Sequence, residues 1–194
     1  MKKEIIKKLS TKKIGQNIIY YDTIDSTQLE AKKISNKNTI PDGTVVLANM
    51  QTNGIGTHDR TWFTKEGENI TMTIMLYPNC NIKKINNLTL SIAECIVETI
   101  EKLYNIKMNI KYPNDIMYNS KKIAGILTQS VTKNNKVEQI LIGIGINVNQ
   151  EDFTDEIKDI ATSLKKITNK KCSREDIIVN FLEIFEKEYM KMIS

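Results

Sequence analysis

The clearest pattern in the chain is Asn69-Ile70-Thr71-Met72-Thr73-Ile74-Met75-Leu76, where polar and apolar side chains alternate as in a half-buried strand. A second rhythm begins at Leu88. Ile92, Ala93, Ile96, Val97, Ile100 and Leu103 recur every three or four residues and predict a helix lying on a sheet. Asn17-Ile18-Ile19-Tyr20-Tyr21 reads as a first strand and Thr44-Val45-Val46-Leu47-Ala48 as a buried one. Between them, Thr27 and Glu30 form a capping box for a helix through about Ser35. From Asn109 to Asn149 the pattern is strands again, with turns at Asn119-Ser120 and Lys133-Asn134-Asn135, where Asn tolerates the left-handed conformation of a hairpin. Ser173 with Asp176 caps a final helix bearing Ile177, Ile178, Phe181, Leu182, Ile184 and Phe185. Several hairpin strands with few, long helices predict an α+β fold, a mostly antiparallel sheet with packed helices.

At 194 residues the chain supports one domain with a substantial core and is too short for two of ordinary size. No apolar run approaches the roughly 20 residues of a membrane-spanning helix. Met1-Lys2-Lys3-Glu4-Ile5-Ile6 lacks the apolar core of a secretory signal, so a cytoplasmic location and no membrane partner are expected. Cys80, Cys95 and Cys172 are widely spaced and His58 is the sole histidine, which argues against a structural zinc site and a disulfide framework. The net charge of +5 is scattered largely as Lys-Lys pairs, the mark of a solvated surface with a weak preference for acidic partners. Specific nucleic-acid binding would need those cations clustered with aromatic residues or on a recognition helix, so no nucleic-acid partner is expected.

Three segments look built for a ligand. Lys111-Tyr112-Pro113-Asn114-Asp115 projects an amide and a carboxylate from a corner, since Pro cannot donate to a sheet and Asn and Asp are poor strand formers. It is followed by Lys121-Lys122-Ile123-Ala124-Gly125-Ile126-Leu127, an apolar run with a lysine pair at its start. Gln51-Thr52-Asn53-Gly54-Ile55-Gly56 opens a polar loop ending in Arg60-Thr61-Trp62, and Gly143-Ile144-Gly145-Ile146-Asn147 sets an amide after an apolar run. Each also has a plainer reading. Asn114-Asp115 alone is a turn, Gly143 and Gly145 alone a sheet bulge, Lys122 alone an exposed edge residue, and Ser26-Thr27 alone a helix cap.

Together, and in this order, these segments resemble the biotin–protein ligases of the biotin/lipoate protein ligase superfamily, over roughly residues 17 to 190. Asp25-Ser26-Thr27 matches an early biotin-contacting motif of that family, and Ala161-Thr162-Ser163-Leu164 resembles a later one. The resemblance implies ATP-dependent activation of biotin as biotinyl-5'-AMP and transfer to a lysine of a biotin carboxyl carrier protein. It implies catalytic roles for Lys122, Asp115 and Arg60, and biotin contacts from Ser26, Thr27, Gln51, Gly54 and Gly125. Nucleotide contacts fall to Gly56, Thr57, Trp62, Lys111, Asn114 and Asn147, with Asn114 and Asn147 as oxygen donors to Mg²⁺. Such residue types suit the chemistry, because joining a carboxylate to ATP demands cations and donors that stabilise charge developing at phosphorus.

Two departures from the family pattern stand out. Where many relatives write Gly-Arg-Gly-Arg-x-x-Arg, this chain has Gly54-Ile55-Gly56-Thr57-His58-Asp59-Arg60, losing two cations and gaining a carboxylate. Residues 1–16 read as a basic N-terminal extension, and 17–194 as the catalytic domain, with neither a DNA-binding domain before nor a β-barrel domain after it. The alternatives are a lipoate- or octanoate-type acyl transferase, disfavoured by the Lys-Tyr-Pro-Asn-Asp corner, and a non-catalytic biotin-binding protein, favoured by the missing arginines. A transcriptional repressor is disfavoured because no DNA-binding domain fits before Asn17.

Overall fold

Ile140, Ile142, Ile144 and Ile146 share one face of a strand, and Ile70, Met72, Ile74 and Leu76 share the same face of its neighbour. This double row is the floor of the main core. The computed structural model describes residues 1–36 and 40–194, with the side chain of Asp59 outside that description. Its elements run α1 (Lys2–Lys8), β1 (Ile18–Ile24), α2 (Thr27–Ser35), β2 (Thr44–Gln51), β3 (Gly54–Ile55), β4 (Thr61–Trp62), β5 (Asn69–Leu76) and β6 (Cys80–Asn81). There follow α3 (Leu88–Tyr104), β7 (Asn109–Lys111), β8 (Asp115–Tyr118), β9 (Lys121–Lys133), β10 (Lys136–Asn147), α4 (Leu164–Thr168) and α5 (Arg174–Ile193). The main sheet has the order β1-β2-β5-β10-β9-β8-β7, with β6 pairing β10. Among the strands of the described residues only β1 and β2 pair in parallel, so the α+β, mostly antiparallel expectation holds.

α3 and α5 cover the isoleucine face, through Ile92, Ile96 and Ile100 of one and Phe181, Leu182 and Phe185 of the other. α2 lies on the opposite face, where Ala31 and Ile34 meet Val46, Met75 and Leu141. β5 is therefore buried on both faces along its whole length, although its alternation reads as half-buried. The alternation survives because Thr71 and Thr73 face a polar site on the α2 side. Ser26, not Thr27, is the N-cap of α2, its hydroxyl accepting from Leu29 N–H; Glu30 instead accepts from the Tyr21 hydroxyl. The Ser173 cap of α5 and the left-handed turns at Asn119, Asn134 and Asn135 are as expected.

Residues 1–16 pack into the domain rather than extending from it. Ile5 and Ile14 are fully buried in the main core. One carboxylate, Glu186 on α5, accepts the backbone N–H groups of Lys12, Lys13 and Ile14 at 2.7, 2.8 and 2.7 Å. No helix among the described residues is long and apolar enough to cross a membrane.

Candidate active site

The α2-side face of the sheet is floored by rows of facing residues. Thr71, Gly145, Gly125 and Asp115 form one row across β5, β10, β9 and β8, and Thr73, Gly143 and Leu127 form the next. Gly143 and Gly145 are in regular register, with the only shift in β10 farther back, between Val137 and Gln139, so neither marks a bulge. Their value is the missing side chain. A β-carbon at Gly145 would overlap the Trp62 ring, and one at Gly125 would stand 3.0 Å from Lys122 Nζ and 3.2 Å from Trp62.

Lys122 reaches this floor through an irregularity. It lies three positions before Gly125, an odd offset that in a regular strand would put the two on opposite faces. β8 pairs Ile116 with Ala124 but Met117 with Lys122, leaving Ile123 as the extra residue of a bulge. Ile123 is buried in the core while Lys122 Nζ lies 2.7 Å from Asp115 Oδ1 and 5.6 Å from the Trp62 ring centroid. The Lys122–Asp115 contact is ionic, with angles outside those of a hydrogen bond, so the buried Asp115 Oδ1 has no hydrogen-bond donor among the described residues. The backbone of Lys122 is pinned as well: its N–H donates to Ile160 O at 2.7 Å and its carbonyl accepts from Thr162 N–H at 2.9 Å.

Two cavities meet here. The first, of about 430 Å³, includes Ser26, Thr27, Gln28, Gln51, Asn114 and Gly125 in its lining. The second, of about 660 Å³, is lined by Arg60, Phe63, Asn147, Ile157, Ile160 and Ala161 among others. Gly56, Thr57, Trp62 and Lys122 border both.

Hydrogen bonding shows which groups of the first cavity are spare. Gln51 Oε1 accepts from Thr27 N–H at 2.8 Å and from the Thr27 hydroxyl at 3.0 Å, so its amide nitrogen remains to donate. Ser26 Oγ accepts from the helix, leaving its proton free. Asn114 is tied to β9 by its carbonyl, which accepts from Ile126 N–H, and by Nδ2, which donates to Ile126 O at 3.3 Å. The loop after β2 folds back as a β3–β4 hairpin closed by Gly56 N–H to Arg60 O at 2.7 Å, with His58 in the left-handed region.

Most of the expected site residues thus converge, with three exceptions. Lys111 is exposed, on the edge strand opposite Asp115, and lines neither cavity. Gly54 lies under the loop against the backbone of Trp62 rather than in a cavity lining. Asn114 and Asn147 are not brought together: they line different cavities and stand two strands apart, roughly 10 Å. Among the described residues there is also no cluster of three His, Cys, Asp or Glu side chains able to hold a metal. The contribution of Asp59 lies outside the described residues.

Other lining groups went unread in the sequence. Gln28 directly follows the Ser26-Thr27 pair, and Thr71 is a polar position of the β5 alternation, so both carried a local signal. Ile157 and Ile160 carried none, because their segment has no periodicity. Behind the second cavity, Arg174 donates to Asn69 O at 3.0 Å and Asn49 Oδ1 at 3.1 Å, and burial lowers its pKa. Asn69 is the register partner of Asn147, so this half-buried cation braces the strand end beside the cavity.

Residues 20–147 match the model of the biotin/lipoate A/B protein ligase family. The chain belongs to that family. It is 44% identical over 183 residues to the bifunctional ligase/repressor BirA of Bacillus subtilis, covering 93% of this chain and 56% of that protein. The chain therefore spans about half the length of the curated relatives it matches. The structure of a biotin protein ligase from Aquifex aeolicus in complex with biotin and ATP superposes with a TM-score of 0.76 at 31% identity, covering 91% of this chain and 71% of that one. A P. falciparum LipL1 structure in complex with lipoate shares the fold at a TM-score of 0.54 and 17% identity, covering 90% of this chain and 63% of that one. The fold of this family alone therefore does not select between the two acids.

Proposed function

We propose that the protein is a biotin–protein ligase that activates biotin with ATP and passes it to a lysine of a biotin carboxyl carrier protein. The observation that carries this reading is the junction of two cavities at Lys122, one with spare donors at its head and the other bordered by Arg60 and Asn147. Biotin would take the first cavity, its ureido carbonyl accepting from Ser26 and Gln51, with its carboxylate at Lys122. ATP would take the second. A carboxylate oxygen then bonds to the α-phosphorus as the bond to pyrophosphate breaks, giving biotinyl-5'-AMP and pyrophosphate. Lys122, lying between both anions, offsets their repulsion and the charge developing on the phosphate. The ring of Trp62 and the isoleucines of the second cavity keep water out.

In the second half-reaction an uncharged lysine amine attacks the acyl carbon and AMP leaves with its oxygen. The amine loses a proton, and the Asp115 carboxylate, at the junction beside Lys122, is the acceptor at hand. Magnesium enters this reading only as an ion carried on the triphosphate, near Asn147, where it would screen phosphate charge. Lys111 and Tyr112, exposed beside Asp115, would meet the carrier rather than the nucleotide. Three unpaired cysteines suit a reducing cytoplasm.

The test is mass spectrometry of a carrier domain incubated with the protein, ATP and biotin, alongside pyrophosphate release without the carrier. Addition of one biotinyl group to the carrier is expected. Lipoylation in preference to biotinylation would overturn the substrate. A second reading, binding without catalysis, is favoured by Ile55 and Thr57 where relatives carry arginine, and pyrophosphate release with biotin and ATP would remove it.

A further inference from the structure

The floor of the first cavity ends abruptly. Thr73, Gly143 and Leu127 form its last open row, and in the row beyond Met75 and Leu141 are covered by Ala31 and Ile34 of α2. Gln28, in the first turn of α2, closes that end. It lines the cavity, is 5% exposed, and its Oε1 lies 2.8 Å from where a β-carbon on residue 143 would stand. Its amide is held at both atoms. The Thr73 hydroxyl donates to Oε1 at 3.1 Å, and Nε2 donates to Gln129 Oε1 at 3.1 Å. Gln129 is exposed, on the stretch of β9 that β8 does not reach, and outside the lining of both cavities.

The other end of the same cavity carries the Lys122 ammonium. We propose that Gln129 is a positioning residue for substrate length: by holding Gln28 as an end wall, it fixes how long a carboxylic acid can lie between that wall and Lys122. This rests on the reading above, in which the substrate carboxylate sits at Lys122. An acid one methylene longer must push its head into Gln28. That wall yields only if the amide can leave its partners, and an unsolvated amide resists losing them. Without the Gln129 side chain, Nε2 has lost its partner already, and the Gln28 side chain can turn away towards solvent.

Calorimetric binding of biotin and of homobiotin, the same acid with one more side-chain methylene, tests this in the wild type, Gln129→Ala and Gln129→Glu. One methylene typically changes selectivity about 10–200-fold, and the wild type should prefer biotin within that range. Gln129→Ala should narrow the preference at least about fivefold, chiefly by tighter homobiotin binding. Gln129→Glu, whose carboxylate still accepts from Gln28, should restore it. An unchanged ratio in Gln129→Ala would overturn the inference and assign length selection to the polar contacts around the ring. Equal loss of both acids would also overturn it, by showing a merely structural role. A wild type that bound neither acid would overturn the reading of the site itself, and this inference with it, before any variant was compared.

Discussion

Replacing Lys122 by methionine keeps most of the apolar stem and removes the charge, which separates chemistry from folding. The ammonium lies 2.7 Å from Asp115 Oδ1, a gross attraction of about 6 kcal/mol at an effective dielectric of 20. Most of that is repaid in desolvation. The two side chains keep 31% and 20% of their exposure, so the net loss of stability is on the order of 1 kcal/mol. For a domain of this size that lowers Tm by about 2–4 °C. The catalytic cost should be larger, because the proposed reaction puts the cation where phosphate charge develops, and losing one such donor costs about 10²–10³ in rate, roughly 2.7–4 kcal/mol. Biotin-dependent pyrophosphate release, measured beside a thermal melt, should therefore show a rate loss that the small Tm change cannot explain. Adenylation within tenfold of wild type would refute the role given to Lys122. So would a fall in Tm large enough for the rate loss to follow the unfolded fraction.

Thr57→Arg should slow release of biotinyl-adenylate, since a charge-assisted hydrogen bond is worth about 1.5–3 kcal/mol; release timed after gel filtration and left unchanged would show that Arg60 or backbone amides already hold the phosphate. Glu186→Ala should cost about 1–3 kcal/mol by leaving the backbone N–H groups of Lys12, Lys13 and Ile14 without their acceptor. Limited proteolysis should then cut the first 16 residues sooner, and an unchanged melt would argue against the clasp. Tyr189→Phe should leave stability unchanged or raise it by up to about 1 kcal/mol, because the buried Tyr189 hydroxyl has no hydrogen-bond partner among the described residues; a clear loss would reveal a bound water there. With a net charge of +5, the proposed transfer to an acidic carrier domain should slow with added salt while adenylation falls much less, and equal sensitivity would remove surface charge from carrier recognition.

What could be read in the sequence was whatever a periodicity or a local motif encodes. The apolar spacing of α3 and the Ser173 cap of α5 depend on neighbours three and four residues away, and both are where they were expected. Burial of β5 on its second face was hidden, because that face is covered by a helix some forty residues earlier in the chain. The N-terminal segment looked like an extension because its lysines dominate the composition. Its anchors are two isoleucines and a carboxylate on α5 more than 170 residues away. The bulge at Ile123 left no mark in the apolar run that contains it. Without it, Lys122 and Gly125 would face opposite sides, and nothing in the motif says that they share one. Motif order likewise says nothing about the two strands of separation between Asn114 and Asn147.

The two walls of the site are held very differently, and this bears on which of them can adjust to a ligand. The Ile160–Thr162 segment exchanges two backbone hydrogen bonds with Lys122, at 2.7 and 2.9 Å, and Ala161 bridges to it as a short parallel pair. Lys122 is in turn part of a strand paired to β8 and followed on its other side by β10. A nucleotide pressing on Ile157 and Ile160 therefore presses on the same body that carries the ammonium, and the two stay in register. The opposite wall is a hairpin of two two-residue strands with His58 in a left-handed conformation at its turn. A ribbon that short is marginal alone, and the Trp62 ring resting on Gly125 and Gly145 supports it. That ring lies over the glycine rows where the two cavities join, so a molecule spanning both must either stack against it or displace it. In the proposed reaction, adjustment to the joined acyl-adenylate thus falls to the Trp62 hairpin, while Lys122 and Asp115 keep the spacing that reaction needs.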